Sequence, residues 1–332
     1  MQNENVSIQD RMISRGVSRR QFLKFCGMMT ATLALPTRMA ADIAEAFALS
    51  PRLPVIWLEF QGCTGDTESF LRAAQRSDPN INGKTDPKLI DLIFDVISLD
   101  YHETIMAPAG KAAERSRDEC IAQYKGKYVC IVEGAVPVGA GGAYCVIGGR
   151  SALSIINEAA TNSLITMTVG SCAWDGGLPG SNPNPTMAMG VKSAVPSVAN
   201  KIISIPGCPA NVVNIVASLV YYITYQNLPP MDANNRPLFA FGHEIHDECP
   251  REDYYEEGRF VLSWGDIGHR SGWCLYKMGC RGPSTKSNCP QVKWNEGTSW
   301  PIGAGHGCIG CVEPHFWDAN APFYVAKSGS HG

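Results

Sequence analysis

The stretch that decides the fold is PVIWLEFQGCTGD, residues 54–66. Residues 54–60 are mostly apolar or aromatic, which predicts a buried strand. A glycine-rich turn follows and carries Cys63, and a helical pattern over residues 67–75 begins directly after Asp66. The stretch therefore predicts a strand, a turn that presents a thiol, and a helix.

The same alternation of strand and helix continues to about Tyr225. Further strands are predicted at residues 127–133, 164–169 and 201–206, and further helices at 110–123, 151–161 and 210–225. Residues 89–99 are apolar throughout and fit either a strand or a helix. This pattern predicts an α/β domain over residues 50–228, with a flavodoxin-like, doubly wound parallel sheet covered by helices on both faces.

The chain changes character after Pro230. Residues 229–332 have few apolar periods and contain many glycines, prolines, tryptophans and charged residues. Six of the 13 cysteines lie between Cys249 and Cys311. Because such a segment cannot build a large hydrophobic core, we expect a loop-rich domain with little regular structure that is held together by a metal or a cluster.

The first 48 residues have the form of a twin-arginine signal peptide. Arg19 and Arg20 precede a short apolar run over residues 25–35, and small-residue cleavage sites follow at residues 44–46 and 46–48. A basic amphipathic helix is the alternative. We expect this segment not to fold with the rest, and the chain to be periplasmic or peripheral on the outer face of the cytoplasmic membrane.

A net charge of −3 without a basic stripe argues against nucleic-acid binding.

Three cysteines of the α/β domain directly follow predicted strands, namely Cys63, Cys172 and Cys208. Parallel sheets bind ligands at the carboxyl ends of their strands, so these thiols should converge on one edge. The alternatives are three buried cysteines that act as small hydrophobic residues, or a disulfide framework in an exported protein.

The cysteines of the second half fall into two groups. His246, Cys249, Cys274 and Cys280 offer one imidazole and three thiolates, which alone would also suit zinc. A trio of thiolates follows and suits a cluster that lacks one corner iron; it comprises Cys289, Cys308 and Cys311. Together, the soft thiolate groups indicate iron–sulfur chemistry.

These motifs resemble, over essentially the whole chain, the small, electron-transferring subunit of the [NiFe] hydrogenases. The matching stretches are GSCA (170–173), PGCP (206–209), HDECP (246–250), GWCLY (272–276), GCRGP (279–283), NCP (288–290) and GCIGC (307–311). The resemblance implies an obligate large subunit that carries the Ni–Fe centre where dihydrogen is oxidised. It also implies transfer of electrons to a cytochrome or quinone-linked acceptor, and heterodimers that could associate further.

The resemblance also implies three clusters. Cys63, Cys172 and Cys208 would bind a proximal [4Fe-4S] cluster. Cys289, Cys308 and Cys311 would bind a medial [3Fe-4S] cluster. The group of His246, Cys249, Cys274 and Cys280 would bind a distal [4Fe-4S] cluster. No hydrogen-activating residue is expected in this chain.

One position departs from the usual Cys-x2-Cys pattern of the family. Asp66 stands where the second cysteine would be, as in the actinobacterial-type subgroup. Our hypothesis is that the Asp66 carboxylate is the fourth proximal ligand; the alternative is a surface aspartate beside a cluster held by three thiolates. Glu133 ends a predicted strand and is either near the same edge or a solvated turn carboxylate.

Other functions fit parts of the sequence. An iron–sulfur electron carrier related to the cluster subunit of respiratory Complex I would share the α/β edge but has no counterpart to residues 246–311. A disulfide-stabilised binding protein and a zinc-stabilised module would both lack iron and sulfide.

Overall fold

The computed structural model describes residues 6–72, 96–294 and 297–326. The chain divides into two compact units, Met1–Pro237 and Leu238–Gly332. The division falls nine residues after the end of the predicted α/β domain at residue 228, because Met231 and Pro237 still form a β-bridge within the first unit.

The first unit is organised around five parallel strands in the part of the chain described. They are β1 (Leu53–Glu59), β2 (Ile97–His102), β3 (Val129–Glu133), β4 (Ile165–Val169) and β5 (Ile202–Ile205). Their order across the sheet is β2-β1-β3-β4-β5, and every pairing is parallel. This is the flavodoxin-like order, so the predicted fold class is confirmed.

Strands β3, β4 and β5 are mainly apolar because both of their faces are covered. Every residue of β3, β4 and β5 is buried, as expected of a parallel sheet with helices on both sides. Of the ambiguous run at 89–99, residues 89–95 lie outside the described residues, and Ile97–Leu99 belong to β2.

Seven helices of seven or more residues are described, all in the first unit. They are α1 (Ile8–Ser14), α2 (Arg19–Thr32), α3 (Ala40–Leu49), α4 (Gly65–Arg72), α5 (Lys111–Gln123), α6 (Ala152–Asn162) and α7 (Val212–Tyr225). The Ser151 and Asn211 side chains cap α6 and α7 by accepting hydrogen bonds from the backbone N–H groups of Ser154 and Val213. Helix α4 begins at Gly65, so Asp66 lies in its first turn rather than before the helix as predicted.

The N-terminal segment does not stay apart from the domain, contrary to our expectation. Helices α1, α2 and α3 pack on one another, and α2 and α3 also pack against α7. Phe22, Phe25 and Phe47 form a buried aromatic cluster within this segment. Among the residues described, none of the helices is long and apolar enough to cross a bilayer.

The second unit is loop-rich, as predicted. Its described helices are short: Leu238–Phe241, Glu252–Glu256, Ile267–Arg270, Cys289–Val292 and Phe316–Asn320. Its strand pairing is limited, over the same residues, to isolated bridges such as Glu244 with Lys286. Its small core joins apolar side chains, Trp300 among them, to two of the predicted ligands, Cys280 and Cys308. Trp264, by contrast, is largely exposed rather than packed in that core.

Candidate iron–sulfur sites

The first candidate site lies at the carboxyl edge of the sheet. Cys63 is in the turn after β1, Cys172 is in a short helix that directly follows β4 (Gly170–Asp175), and Cys208 follows β5. Burial raises the pKa of the Cys208 thiol to about 11, and the charges of Cys63 and Asp66 contribute to this shift. Burial likewise raises the pKa of Cys172 to about 12, with Cys208, Asp66 and Cys63 adding to it. The four predicted proximal ligands therefore lie within electrostatic reach of one another.

Reciprocal hydrogen bonds fix the loops that carry these thiols. The Ser171 N–H donates to the Gly207 carbonyl oxygen at 2.8 Å, and the Gly207 N–H donates to Ser171 Oγ at 3.0 Å. These two residues immediately precede Cys172 and Cys208. The Ser69 hydroxyl of α4 donates to the Ala210 carbonyl oxygen at 2.7 Å, which ties α4 to the Cys208 loop. Neither connection was predicted from the sequence.

Asp66 is buried at this edge, with a relative exposure of 7%. Its Oδ1 accepts a hydrogen bond of 2.5 Å from the backbone N–H of Ala210, two residues after Cys208. Burial raises the pKa of the carboxyl to about 8, the charge of Glu133 raises it further, and the Ala210 hydrogen bond lowers it. A side chain at Gly170 would collide with this carboxylate, so glycine is required there. Asp66 is thus not the surface aspartate of the alternative hypothesis.

Glu133 is also buried, with 2% exposure, and is not a solvated turn residue. Its Oε1 accepts the Asp66 N–H at 2.9 Å, and its Oε2 accepts the Thr67 N–H at 3.0 Å and the Thr67 hydroxyl at 2.6 Å. Trp57 Nε1 donates to the same Oε2 at 3.4 Å. Glu133 therefore binds the first turn of α4 and fixes the backbone at Asp66. The contacts of Thr67 and Trp57 with Glu133 were not predicted from the sequence.

The second candidate site is a cavity in the loop-rich unit. It is lined by all four predicted distal ligands: His246, Cys249, Cys274 and Cys280. Apolar side chains complete the wall, together with Arg251, whose charge lowers the pKa of the Cys249 thiol while burial, the larger effect, raises it. The His246 ring packs edge-on against Tyr255, with 4.7 Å between ring centroids. Arg251 was missed in the sequence, although it stands two residues after a predicted ligand.

Backbone N–H groups point at the sulfurs of this site. Tyr276 donates to Cys274 Sγ at 3.4 Å, Gly282 donates to Cys280 Sγ at 3.4 Å, and Cys308 donates to Cys280 Sγ at 3.3 Å. Such bonds are typical of thiolates that bind metal clusters, where they help set the reduction potential.

The third candidate site contains the predicted medial ligands. Cys308 and Cys311 lie close enough for the charge of Cys311 to raise the Cys308 pKa, whose main cause is burial. Cys289 packs against the same small core as Cys308. The Gly310 N–H donates to Cys308 Sγ at 3.3 Å, and the Ser287 hydroxyl lies 3.1 Å from Cys289 Sγ.

None of the 13 cysteines, all of which lie in described ranges, forms a disulfide bond. Among the described residues, no three histidine, cysteine or acidic side chains converge tightly enough to bind one metal ion. Each protein ligand of a [4Fe-4S] or [3Fe-4S] cluster binds a different iron, so the site of such a cluster does not require that convergence. Thiols, one imidazole and directed N–H groups are the chemistry that such a cluster needs.

Comparison with known proteins agrees with this chemistry. Residues 241–324 match the family model for the C-terminal part of the NiFe/NiFeSe hydrogenase small subunit, and residues 63–222 match that for the NADH ubiquinone oxidoreductase 20 Kd subunit. The periplasmic [NiFe] hydrogenase small subunit 1 of Nitratidesulfovibrio vulgaris is 44% identical over 316 residues, which are 95% of this chain and 96% of that protein.

Two further relatives extend the comparison. The quinone-reactive Ni/Fe-hydrogenase small chain of Wolinella succinogenes is 44% identical over 313 residues, covering 93% of this chain and 84% of that protein. The structure of the reduced, active Ni-Fe-Se hydrogenase from Desulfomicrobium baculatum superposes with a TM-score of 0.74 at 33% identity, covering 83% of this chain and 100% of the matched chain.

A flavodoxin-like sheet with thiols at its carboxyl edge, followed by a cysteine- and histidine-rich module, defines an iron–sulfur electron-transfer subunit. The chain belongs to the family of [NiFe] hydrogenase small subunits. Such subunits carry iron–sulfur clusters and act together with a large subunit. The Complex I-like carrier is not favoured, because the Complex I model stops at residue 222 whereas the hydrogenase model covers 241–324.

Proposed function

We propose that this chain binds three clusters through the ligand sets that the sequence predicts. A [4Fe-4S] cluster at the sheet edge would use Cys63, Asp66, Cys172 and Cys208. A [3Fe-4S] cluster would use Cys289, Cys308 and Cys311. A second [4Fe-4S] cluster would use the cavity set of His246, Cys249, Cys274 and Cys280. When bound, these groups supply one-electron redox chemistry.

The burial of Asp66 among three thiols carries the proximal assignment. An isolated carboxylate in such a place is unfavourable, and its pKa of about 8 expresses that cost. A bound iron ion would offset the cost by supplying the missing positive charge. The spacing from Cys63 puts the carboxylate in the first turn of α4, beside the Cys208 loop. By this feature the chain resembles the actinobacterial-type subgroup.

The chain's own residues prepare the sites. Burial raises the pKa of Cys172, Cys208 and Cys274, so these thiols are neutral near pH 7 until coordination removes their protons. N–H donors are directed at Cys274, Cys280 and Cys308. The apolar walls around them exclude water and thereby strengthen those hydrogen bonds.

The partner and the cellular location extend the same proposal. The large subunit would oxidise dihydrogen, and this chain would pass the electrons to a cytochrome or a quinone-linked protein. The names of the relatives, periplasmic in one case and quinone-reactive in another, support this assignment. Arg19 and Arg20 are both exposed at the start of α2, where a twin-arginine export system could recognise them.

The Asp66 ligand is tested in the anaerobic complex with the large subunit. Asp66→Cys should retain the cluster but change its EPR spectrum and lower its reduction potential, since a softer, more electron-donating thiolate replaces the carboxylate. Glu68→Cys is the matched control, because Glu68 is in the same helix with an exposed side chain. Asp66→Cys spectra and potentials equal to those of the wild type and of Glu68→Cys would exclude ligation by Asp66.

A further inference from the structure

The N-terminal segment is a folded element in its own right. Ser18 and Gln21 form a capping box at the start of α2, in which the Ser18 N–H donates to Gln21 Oε1 at 2.8 Å and the Gln21 N–H donates to Ser18 Oγ at 3.3 Å. The Ile8 N–H donates to the Ser50 carbonyl oxygen at 3.0 Å, which joins the beginning of α1 to the end of α3. The first pair of bonds fixes the start of α2, and the Ile8–Ser50 bond ties the two ends of the segment together.

Helix α7 requires a cover on its outer side. Its sequence, VVNIVASLVYYITY, is apolar on almost every face, and buried residues occur all round the helix, from Ile215 to Ile223. One side of α7 packs against α4 and β5. A helix that is apolar all round is stable only when it is enclosed, and α2 and α3 enclose the remaining side. The charge of Asp42 on α3 reaches Tyr225 at the far end of α7.

The processing sites lie in a helix that takes part in this packing. Both small-residue sites, residues 44–46 and 46–48, are helical within α3; Phe47, the middle residue of the second site, is fully buried, whereas Glu45 and Ala48 are exposed. Proteases act on extended, accessible backbone, so cutting here requires α3 to unfold or to leave α7. Arg19 and Arg20 remain exposed in the same arrangement.

We propose that residues 8–49 are a self-docked leader, an intramolecular cap on α7 that displays the paired arginines while it holds the two processing sites in a packed helix. The dock forms only when α7 is in place, and α7 is preceded directly by the loop that carries Cys208. Docking of the leader therefore depends on the folding of the part of the domain that carries Cys208. The name leader rests on the proposed export function; the docking does not.

A cysteine within the cap provides a direct readout. Cys26 on α2 is fully buried, and burial raises the pKa of its thiol to about 12. In the full chain purified with its large subunit before export, Cys26 should react with a maleimide at least about tenfold more slowly than in the urea-unfolded chain. Elastase, which cuts after small residues, should be slowed similarly at residues 44–48.

A pair of variants on α2 separates docking from other effects. Phe25→Asp places a charge at a side chain that is 3% exposed and should release the cap, so that Cys26 labelling and cleavage at 44–48 both accelerate about tenfold or more. Leu23→Asp makes the same change at a side chain that is 51% exposed and should behave as the wild type. Both positions are distant in sequence from the cut sites and do not alter recognition by elastase.

The rate of Cys26 labelling decides whether the N-terminal segment is docked. Slow wild-type labelling, with release by Phe25→Asp alone, supports the dock. Wild-type Cys26 that reacts as fast as in the unfolded chain overturns it, whatever the variants do. Failure of the export function is a separate result: export that survives conversion of Arg19 and Arg20 to lysine would contradict the leader assignment and leave the labelling result unchanged.

Discussion

The two compact units of this chain are stabilised in different ways. The first unit encloses a parallel sheet whose central strands are buried on both faces, and its thiols sit at the rim of an independent core. In the second unit the predicted ligands Cys280 and Cys308 are themselves members of the small core, with Cys249 and Cys289 packed against it. The sheet domain should therefore fold around hydrophobic contacts, whereas the loop-rich unit should depend on its inorganic groups.

The largest difference in stability between the two units is expected after removal of iron. Anaerobic treatment of the complex with a chelator under mild denaturant should unfold the second unit and leave the sheet intact, because the small core of the second unit includes the cluster ligands themselves. Hydrogen–deuterium exchange would follow amides of β3 (Val129–Glu133) against those around Leu275 and Met278. Protection lost equally in both regions, or in neither, would remove the distinction between the units.

Single cysteine changes sharpen the same contrast. Cys280→Ala should destabilise the second unit by at least about 3 kcal/mol, since it removes a ligand as well as a core side chain. Cys130→Ala is the control: Cys130 is fully buried in β3, and its loss should cost about 1 kcal/mol through a small cavity. Iron content and urea unfolding midpoints measure both effects. Equal iron content in the two variants would contradict the assignment of Cys280.

The distal histidine should influence the potential rather than the fold. His246→Cys exchanges a neutral imidazole for an anionic thiolate, so the distal cluster becomes more negative and its reduction potential should fall, by about 100 mV. Redox titration followed by EPR is the measurement, with His243→Cys as the control three residues away. A potential that is unchanged or rises would argue against His246 as a ligand.

The smallest effect is expected at Glu133. Glu133→Gln keeps the shape but exchanges a charged acceptor for a neutral one, which weakens the hydrogen bonds from Asp66, Thr67 and the Thr67 hydroxyl. We expect a small change in the proximal EPR signal and a loss of about 1–2 kcal/mol in stability. Glu133→Ala should alter the spectrum more. If neither substitution changes the EPR spectrum, Glu133 does not influence the proximal cluster and has a structural role only.

Much of the α/β domain was predictable because apolar runs and ligands at strand ends are local features. Cys63, Cys172 and Cys208 were predicted at one edge from their positions after strands, and the structure brings them together. The contacts of Glu133 with Thr67, and of Ser171 with Gly207, were not predictable, since they join residues far apart in sequence. The start of α4 was misplaced because a Gly-Asp-Thr turn also fits a helix that begins later.

The packing of the N-terminal segment was the largest difference from expectation. A twin-arginine motif and a short apolar run predict a detached signal peptide, and nothing in residues 1–48 alone reveals a binding surface for them. The sequence feature that could have predicted this packing is α7, because its apolar residues on almost every face require a covering element. An unusually apolar helix is thus informative about a segment that lies more than 150 residues before it in the sequence.

The most direct test is native mass spectrometry of the anaerobically purified chain with its large subunit, combined with iron and acid-labile sulfide analysis. The account predicts the mass of this chain plus two [4Fe-4S] clusters and one [3Fe-4S] cluster, with loss of one [4Fe-4S] increment in Cys280→Ala. A chain of polypeptide mass alone, without inorganic sulfide, would contradict it.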